Sequence, residues 1–348
     1  MRKHLILLTA LLAATPALPQ ASANIAAGRA QPSPLAPSEI VNSAPKADWA
    51  AIASSDLLVM DLAPDAKGKP RRVVIQLMPA PFSQGWVGNI RKLAAARFWD
   101  GTSVNRVQDN YVAQWGDADA EDKAKAKRLP DGLAVMPEGD YVSAIGMQEV
   151  RYKFAPAGEQ VDDLLVQPDG STIRWRPGQP GKDIYANVTA VLAGWPIAVA
   201  PEQARSGKIE LIGWPVHCYG MVGVGRDLSP NTGTGAELYT VIGHAPRHLD
   251  RNIALVGRVI EGIEQLSSLP RGTGALGFYE TPEERTPIVS VRIGNEVSEL
   301  PAYEYLSTES QSFARYADAR ANRRDAFFIR PAGGADICNI PVPVRRVK

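Results

Sequence analysis

Ser103-Val104-Asn105-Arg106-Val107-Gln108-Asp109-Asn110-Tyr111-Val112-Ala113-Gln114-Trp115-Gly116-Asp117 is the stretch on which the fold turns. Val104 and Val107, then Tyr111, Val112 and Trp115, mark Ser103 to Val107 and Asn110 to Trp115 as two short strand candidates with a short connection. Beyond Asp117 acidic and basic residues alternate as far as Arg128 without apolar periodicity, so a solvated loop or short helix is expected there.

Working outward, Leu57 to Leu62 and Arg72 to Met78 form a predicted hairpin across a turn rich in Pro, Asp, Lys and Gly. Pro79 and Pro81 end the second strand. From Ser83 the spacing of Trp86, Ile90, Leu93 and Phe98 predicts an amphipathic helix despite Gly85 and Gly88. Downstream, Gln167-Pro168-Asp169-Gly170 and Pro177-Gly178-Gln179-Pro180-Gly181 mark turns within a loop-rich insertion over about 120–216. Strands resume at Cys218 to Val224, Glu237 to Ile242 and Ile253 to Val259, followed by a short helix within Ile260 to Leu269 and a last strand, Ile288 to Ile293. An extension, 295–348, carries helix formers from Glu304 to Arg324 with basic residues near the end, as the helix dipole favours, and reads as a surface helix. Many short strands at modest spacing point to a mainly β chain with a closed or sandwiched antiparallel sheet.

The N-terminus reads differently. Arg2, Lys3 and His4 precede an apolar run, Leu5 to Ala14, and Ala21-Ser22-Ala23 offers small residues for cleavage, so 1–23 is predicted to be a signal peptide. A membrane span needs roughly 20 apolar residues, and Pro16 and Pro19 interrupt this one. No later stretch is long and apolar enough to cross a bilayer, so no stable membrane insertion is expected; the expected compartment is the periplasm, with full secretion second. Residues 24–55, with Pro32, Pro34, Pro37 and Pro45 among Ala and Ser, read as a linker, and the folded part is expected from residue 56.

Of 348 residues, 45% are hydrophobic, enough for a sizeable core in one large domain or two ordinary ones. Lysine plus arginine (38) nearly cancels aspartate plus glutamate (37), so no global field draws nucleic acid. Cys218 and Cys338 lack metal-binding spacings, and His217, beside Cys218, points to the opposite face of a strand, so no metal is expected. In an exported chain the two cysteines either pair or remain buried small apolar residues.

Val104 to Asp117 resembles the cyclophilin signature Phe-His-Arg-x-x-x-x-Phe-x-x-Gln-Gly-Gly-Asp, with Arg106, Tyr111, Gln114 and Gly116-Asp117 at the family spacing. Met221, Ser229-Pro230-Asn231, Glu237-Leu238-Tyr239, His248-Leu249-Asp250 and Leu255 to Gly262 are similar to later family blocks in the same order, and Val73 to Leu77, Pro79-Ala80-Pro81 and Asn89 match the second strand and first helix. The resemblance spans about Asp56 to Ile293, broken by roughly 70 extra residues between Asp117 and Met221, so 56–294 is expected to be one cyclophilin-like domain. It implies a closed eight-stranded antiparallel barrel with capping helices, plus the insertion and a C-terminal helical extension. It also implies peptidyl-prolyl cis/trans isomerisation, with proline-containing polypeptides as partners and no cofactor.

Amide rotation faces a barrier of about 18 to 20 kcal/mol because resonance stiffens the C–N bond. By the resemblance, Arg106 is the catalytic residue: a guanidinium beside the prolyl nitrogen bonds it as it becomes pyramidal, or grips the neighbouring carbonyl. Such a charge-assisted bond contributes about 1.5 to 3 kcal/mol. Tyr111, Val112, Tyr239 and Leu249 would wall an apolar cup for the proline ring, Gln114 would orient the carbonyl, and Glu237 and His248 would complete the substrate-binding set. Taken alone, Arg106 is a strand arginine in an ion pair and the tyrosines are core aromatics; the common register reverses that reading.

Departures from the family pattern are Asn105 for His, Tyr111 and Tyr239 for Phe, Glu237 for Gln, His248 for Trp and Ile253 for a pocket His. They predict a more polar cup of different shape. The alternative is therefore a catalytically weak cyclophilin-like module that binds proline peptides or acts as a chaperone. Gly272-Thr273-Gly274-Ala275-Leu276-Gly277 matches a dinucleotide-binding pattern literally but lacks the preceding strand and following helix.

Overall fold

The computed structural model describes residues 34–145, 152–153, 183–203 and 207–347. The predicted signal peptide, the first ten residues of the linker and both turn signals of the insertion lie outside the described residues. No helix among the described residues is long and apolar enough to cross a membrane.

In chain order the elements are α1 (Pro37–Asn42), β1 (Trp49–Ile52), β2 (Leu57–Leu62), β3 (Arg71–Leu77), α2 (Gln84–Ala95), β4 (Ser103–Val107) and β5 (Val112–Gly116). The insertion contributes β6 (Ser143–Ala144), β7 (Tyr152–Lys153), β8 (Val188–Leu192), β9 (Trp195–Gln203) and β10 (Ile209–Pro215). Then follow β11 (Met221–Val224), β12 (Leu238–Val241), β13 (Leu255–Glu261), α3 (Glu264–Ser267), β14 (Thr286–Ile293), β15 (Tyr303–Leu306), α4 (Gln311–Ala321) and β16 (Val344–Arg346).

Eight strands close a barrel in the order β11-β12-β5-β4-β14-β2-β3-β13, every pair antiparallel. The fold is mainly β, and closure leaves this sheet no unpaired edge. Val104 and Val107 of β4 and Ala113 and Trp115 of β5 enter the main core, while Val112, Tyr239 and Val241 pack in a separate cluster with Tyr111 and Ile253. Helix α2 buries Trp86, Ile90 and Leu93, the face that its spacing predicts. Its buried Asn89 donates from Nδ2 to the carbonyls of Ala134 and Thr234 (2.8 and 3.0 Å) and accepts from Ala134 N–H, tying two loops to the barrel.

The expected linker is a linker at most up to Ser33. Helix α1 packs on α4, β1 pairs with β15, and Ile40, Ala44 and Trp49 are buried. Their apolar residues are spaced too sparsely among prolines and alanines to show a period. The Arg345 guanidinium lies 3.6 Å from the centroid of the Trp49 ring, a cation–π contact between the two ends of the described chain.

The insertion, expected to be loop-rich, holds a five-stranded antiparallel sheet, β6-β10-β9-β8-β7. Its strands lie among turn formers, and β8 and β9 meet at a tight turn where Ala193 (φ 47°) and Gly194 (φ 85°) are both left-handed. Gly194 is also a junction. A Cβ there would stand 2.7 Å from the Tyr305 ring of β15, while its carbonyl accepts from Arg258 Nη1 of β13 at 2.7 Å. Arg258 is wholly enclosed, bonds Gln76 through Nε and Nη2, and stacks 4.5 Å from the Trp195 centroid; burial pulls its pKa down to about 10.

The C-terminal extension is more than a helix on the surface. β15 and β16 join β1 in a third sheet, and α4, capped by Ser310, buries Phe313, Tyr316 and Ala317. Cys218 and Cys338 are bonded, which resolves the open choice for Cys218 and ties the extension to the barrel across 120 residues of sequence. Cys338→Ser should therefore lower unfolding free energy by roughly 2 to 5 kcal/mol, seen as an earlier urea midpoint; an unchanged midpoint in oxidising buffer would show that the bond constrains nothing.

Candidate active site

The site is built by register. Arg106 on β4 pairs with Gln114 on β5, and Gln114 pairs with Tyr239 on β12, so three neighbouring strands present one row of side chains. Alternation alone would set Arg106 on the same face as Val104, whose partner Trp115 is in the main core. The register slips between Val104 and Arg106, so one extra residue, Asn105, is inserted in β4. This bulge turns Arg106 to the outer face, beside Gln114.

Half-buried, the Arg106 guanidinium is held by three acceptors. Nε donates to the Leu276 carbonyl (2.8 Å), Nη1 to Gln114 Oε1 (2.9 Å) and Nη2 to Gln108 Oε1. Two aromatic rings lie against it, with the guanidinium carbon 5.6 Å from the Tyr111 centroid and 5.1 Å from that of Phe278. Burial lowers the pKa of Arg106, while Tyr111 and Glu237 pull the other way; it remains a cation. An arginine carries five N–H donors, and three are taken up among the described residues, which leaves two to offer a ligand.

Gln114 is oriented from both sides: its oxygen accepts from Arg106 and its Nε2 donates to Glu237 Oε1. That assigns the amide without ambiguity. Burial raises the pKa of Glu237, against the Gln114 hydrogen bond. The Glu237 carboxylate also lines a neighbouring cleft of about 400 Å³ with Phe98, Glu121, Lys127, Arg226 and Asn231.

Beside the arginine lies the apolar cluster of Val112, Tyr239 and Val241, flanked by Tyr111 and Ile253. Its polarity differs from expectation. The Tyr239 ring is 4% exposed and its hydroxyl points away from the cluster, into a bond of 2.9 Å with His217 Nε2. Tyrosine in place of phenylalanine therefore adds no polar group to the surface a ligand would meet at this position. Leu249, expected in the wall, is half-buried on the single turn Arg247–Leu249 and is not part of this cluster; His248 on the same turn is exposed.

Phe278, Leu276 and Gln108 were not foreseen as site residues. The glycine-rich segment that imitates a dinucleotide motif instead runs along β4: Gly272 N–H donates to Val107 O and Tyr279 N–H to Asn105 O, with a bridge between Arg106 and Phe278. A separation of 170 residues between Arg106 and Leu276 leaves no local signal for this contact.

The matches to known proteins agree with this geometry. The family model "Cyclophilin type peptidyl-prolyl cis-trans isomerase/CLD" matches residues 69–293. "Peptidyl-prolyl cis-trans isomerase CYP23" of Arabidopsis thaliana is 32% identical over 113 residues, 31% of this chain; the chain spans about half (49%) of that relative. The crystal structure of cyclophilin AquaCyp293 from Hirschia baltica superposes with a TM-score of 0.59 at 21% identity, covering 86% of this chain and 94% of that one, which shows a shared fold. The chain belongs to the cyclophilin-type peptidyl-prolyl cis-trans isomerase family.

Proposed function

We propose that the protein catalyses cis/trans isomerisation of prolyl peptide bonds in exported polypeptides, and so assists their folding. The observation that carries this reading is the row Arg106–Gln114–Tyr239, which sets a guanidinium with two unused donors beside an apolar cluster. The prolyl ring would rest against Tyr111, Val112 and Tyr239, and the guanidinium would bond the amide as it twists. Gln114, fixed by Glu237, would hold the carbonyl side.

Only interactions stronger in the twisted amide than in the planar one lower the barrier. Cation–π contacts with Tyr111 and Phe278 and three hydrogen bonds hold the guanidinium in place before substrate arrives, which is the preorganisation such catalysis needs. Export is supported by the N-terminal sequence and by the disulfide, which suits an oxidising compartment such as the periplasm. Fractionation of cells expressing the full chain should place the shortened, mature form outside the cytoplasm; full-length protein confined to the cytoplasm would end that part of the reading.

The cis-to-trans rate of a proline tetrapeptide tests the chemistry. Arg106→Ala, with its fold checked by circular dichroism, should lose about a hundredfold in kcat/KM, or about 3 kcal/mol, while peptide affinity changes less. Arg106→Lys should rescue only in part, because an ammonium lacks the planar fork. Full activity in Arg106→Ala would return the residue to an ordinary surface role. Binding without acceleration by the wild type would favour the proline-peptide module instead.

Glu237 gives a separate check through pH. Its folded pKa is raised, so the stability associated with the protonated form is complete below the ordinary glutamate pKa and is lost as pH rises through the raised value. Glu237→Gln removes that loss and keeps an acceptor for Gln114. The variant should melt with the wild type at acid pH and above it at neutral pH in calorimetry; a constant difference across pH would mean that another group titrates.

A further inference from the structure

Beneath the apolar cluster runs a buried polar chain that the chemistry above does not use. Tyr239 Oη lies 2.9 Å from His217 Nε2, and His217 Nδ1 lies 2.9 Å from Asp250 Oδ1. The same carboxylate oxygen accepts the His217 backbone N–H at 3.0 Å. Arg247 Nε donates to Asp250 Oδ2 at 2.6 Å, and its other two nitrogens donate to Asp183 at 2.6 and 3.0 Å. His217 is 0% exposed, and the Asp250, Arg247 and Asp183 side chains are also buried.

The roles in this chain are set by its end members. An ionised carboxylate only accepts, so the proton facing Asp250 belongs to His217 Nδ1, and Nε2 is left as an acceptor for the Tyr239 hydroxyl. Burial lowers the pKa of His217; Arg247 and His248 act in the same direction and Asp250 opposes them, so the neutral imidazole this pattern requires is also the favoured form. With the imidazole shut off from solvent, breaking one of its bonds would strand a partner in the interior.

The tip of the tyrosine ring is confined from a second direction. A Cβ on Gly223 would stand 2.3 Å from both Tyr239 Cζ and Oη, so the ring occupies the space that β11 leaves at that glycine. His217 and Tyr239 are nearly parallel, 12° apart, with centroids at 6.4 Å. The His217 and Asp250 side chains are buried, at 1% and 3% exposure, which speaks against a proton-transfer or nucleophilic role for that pair.

We propose that His217 is a positioning residue for the proline cup: held by Asp250 and Arg247, it anchors the hydroxyl of Tyr239 and so fixes the direction of the ring's long axis, and with it the place of the ring against which the prolyl side chain packs. This rests on the reading of Tyr111, Val112 and Tyr239 as that cup. A ring free to swing about its Cα–Cβ bond would weaken binding of planar and twisted amide alike, so the effect belongs in KM.

The test is a double-mutant cycle with His217→Leu, Tyr239→Phe and both, following KM and kcat for the proline tetrapeptide together with melting temperature. His217→Leu should raise KM about tenfold with kcat changed by less than about threefold, and adding it to Tyr239→Phe should raise KM by no more than about twofold further. His217→Gln, which offers an amide oxygen to the hydroxyl, should recover part of the loss. A lower melting temperature with unchanged KM, or losses that simply multiply, would reduce His217 to a core residue and overturn the proposal. Should His217→Leu not fold, Tyr239→Phe, which keeps the ring, is read alone: an unchanged KM overturns the proposal. If the wild type proves to have no isomerase rate, the cycle is read on calorimetric affinity for the same peptide. A tenfold weakening then supports the positioning role without catalysis, and unchanged affinity removes it.

Discussion

A charged side chain on a closed barrel has to stand on the outer face, because the inner face is filled by close-packed apolar residues. In β4 strict alternation would send the arginine toward Trp115, and the single bulged residue Asn105 prevents this. From that one shift follow the pairing of Arg106 with Gln114, the pairing of Gln114 with Tyr239, and the nearness of the guanidinium to the apolar cluster. Without it, a buried cation would face the core unpaired, a cost of several kcal/mol.

Around the arginine the protein restricts movement by contacts from distant segments. Phe278 and Leu276 arrive from the far end of the chain, where a glycine-rich segment extends the pairing along β4. Gly277, at φ 81°, is needed because a Cβ would stand 2.7 Å from Gln108 Cα. Gln114 is likewise caught between a cation and a carboxylate. The polar half of the site is thereby rigid before a ligand arrives, and the apolar half is backed by the buried chain from Tyr239 to Asp183.

The additions to the barrel are joined to it by a small number of buried groups. Arg258 and Gly194 connect the inserted sheet to β13, Tyr305 packs on the same glycine from the third sheet, and Cys218–Cys338 links the extension to the strand end beside His217. Cys218 is next to His217, and Asp183, which belongs to the insertion, holds Arg247 at the far end of the chain under Tyr239. The insertion and extension thus share their attachment points with the support of the candidate site.

Sequence alone determined the parts that depend on local pattern. The hairpin Leu57–Leu62 with Arg71–Leu77 and the helix carrying Trp86, Ile90 and Leu93 follow from periodicity and turn residues, which also give a mainly β chain; the closed barrel follows from the resemblance of Arg106, Tyr111, Gln114 and Gly116-Asp117 to the cyclophilin signature. Only the tertiary structure decided that residues 34–55 fold against α4 and β15, that the insertion is a sheet, and that Leu249 is not part of the apolar cluster. It also decided that Phe278 stacks on Arg106 and that Tyr239 turns its hydroxyl to His217. The physical reason is common to these cases: the contacts join residues far apart in sequence, and a buried hydroxyl or a short strand takes its meaning from the partner that satisfies it, which no local period encodes.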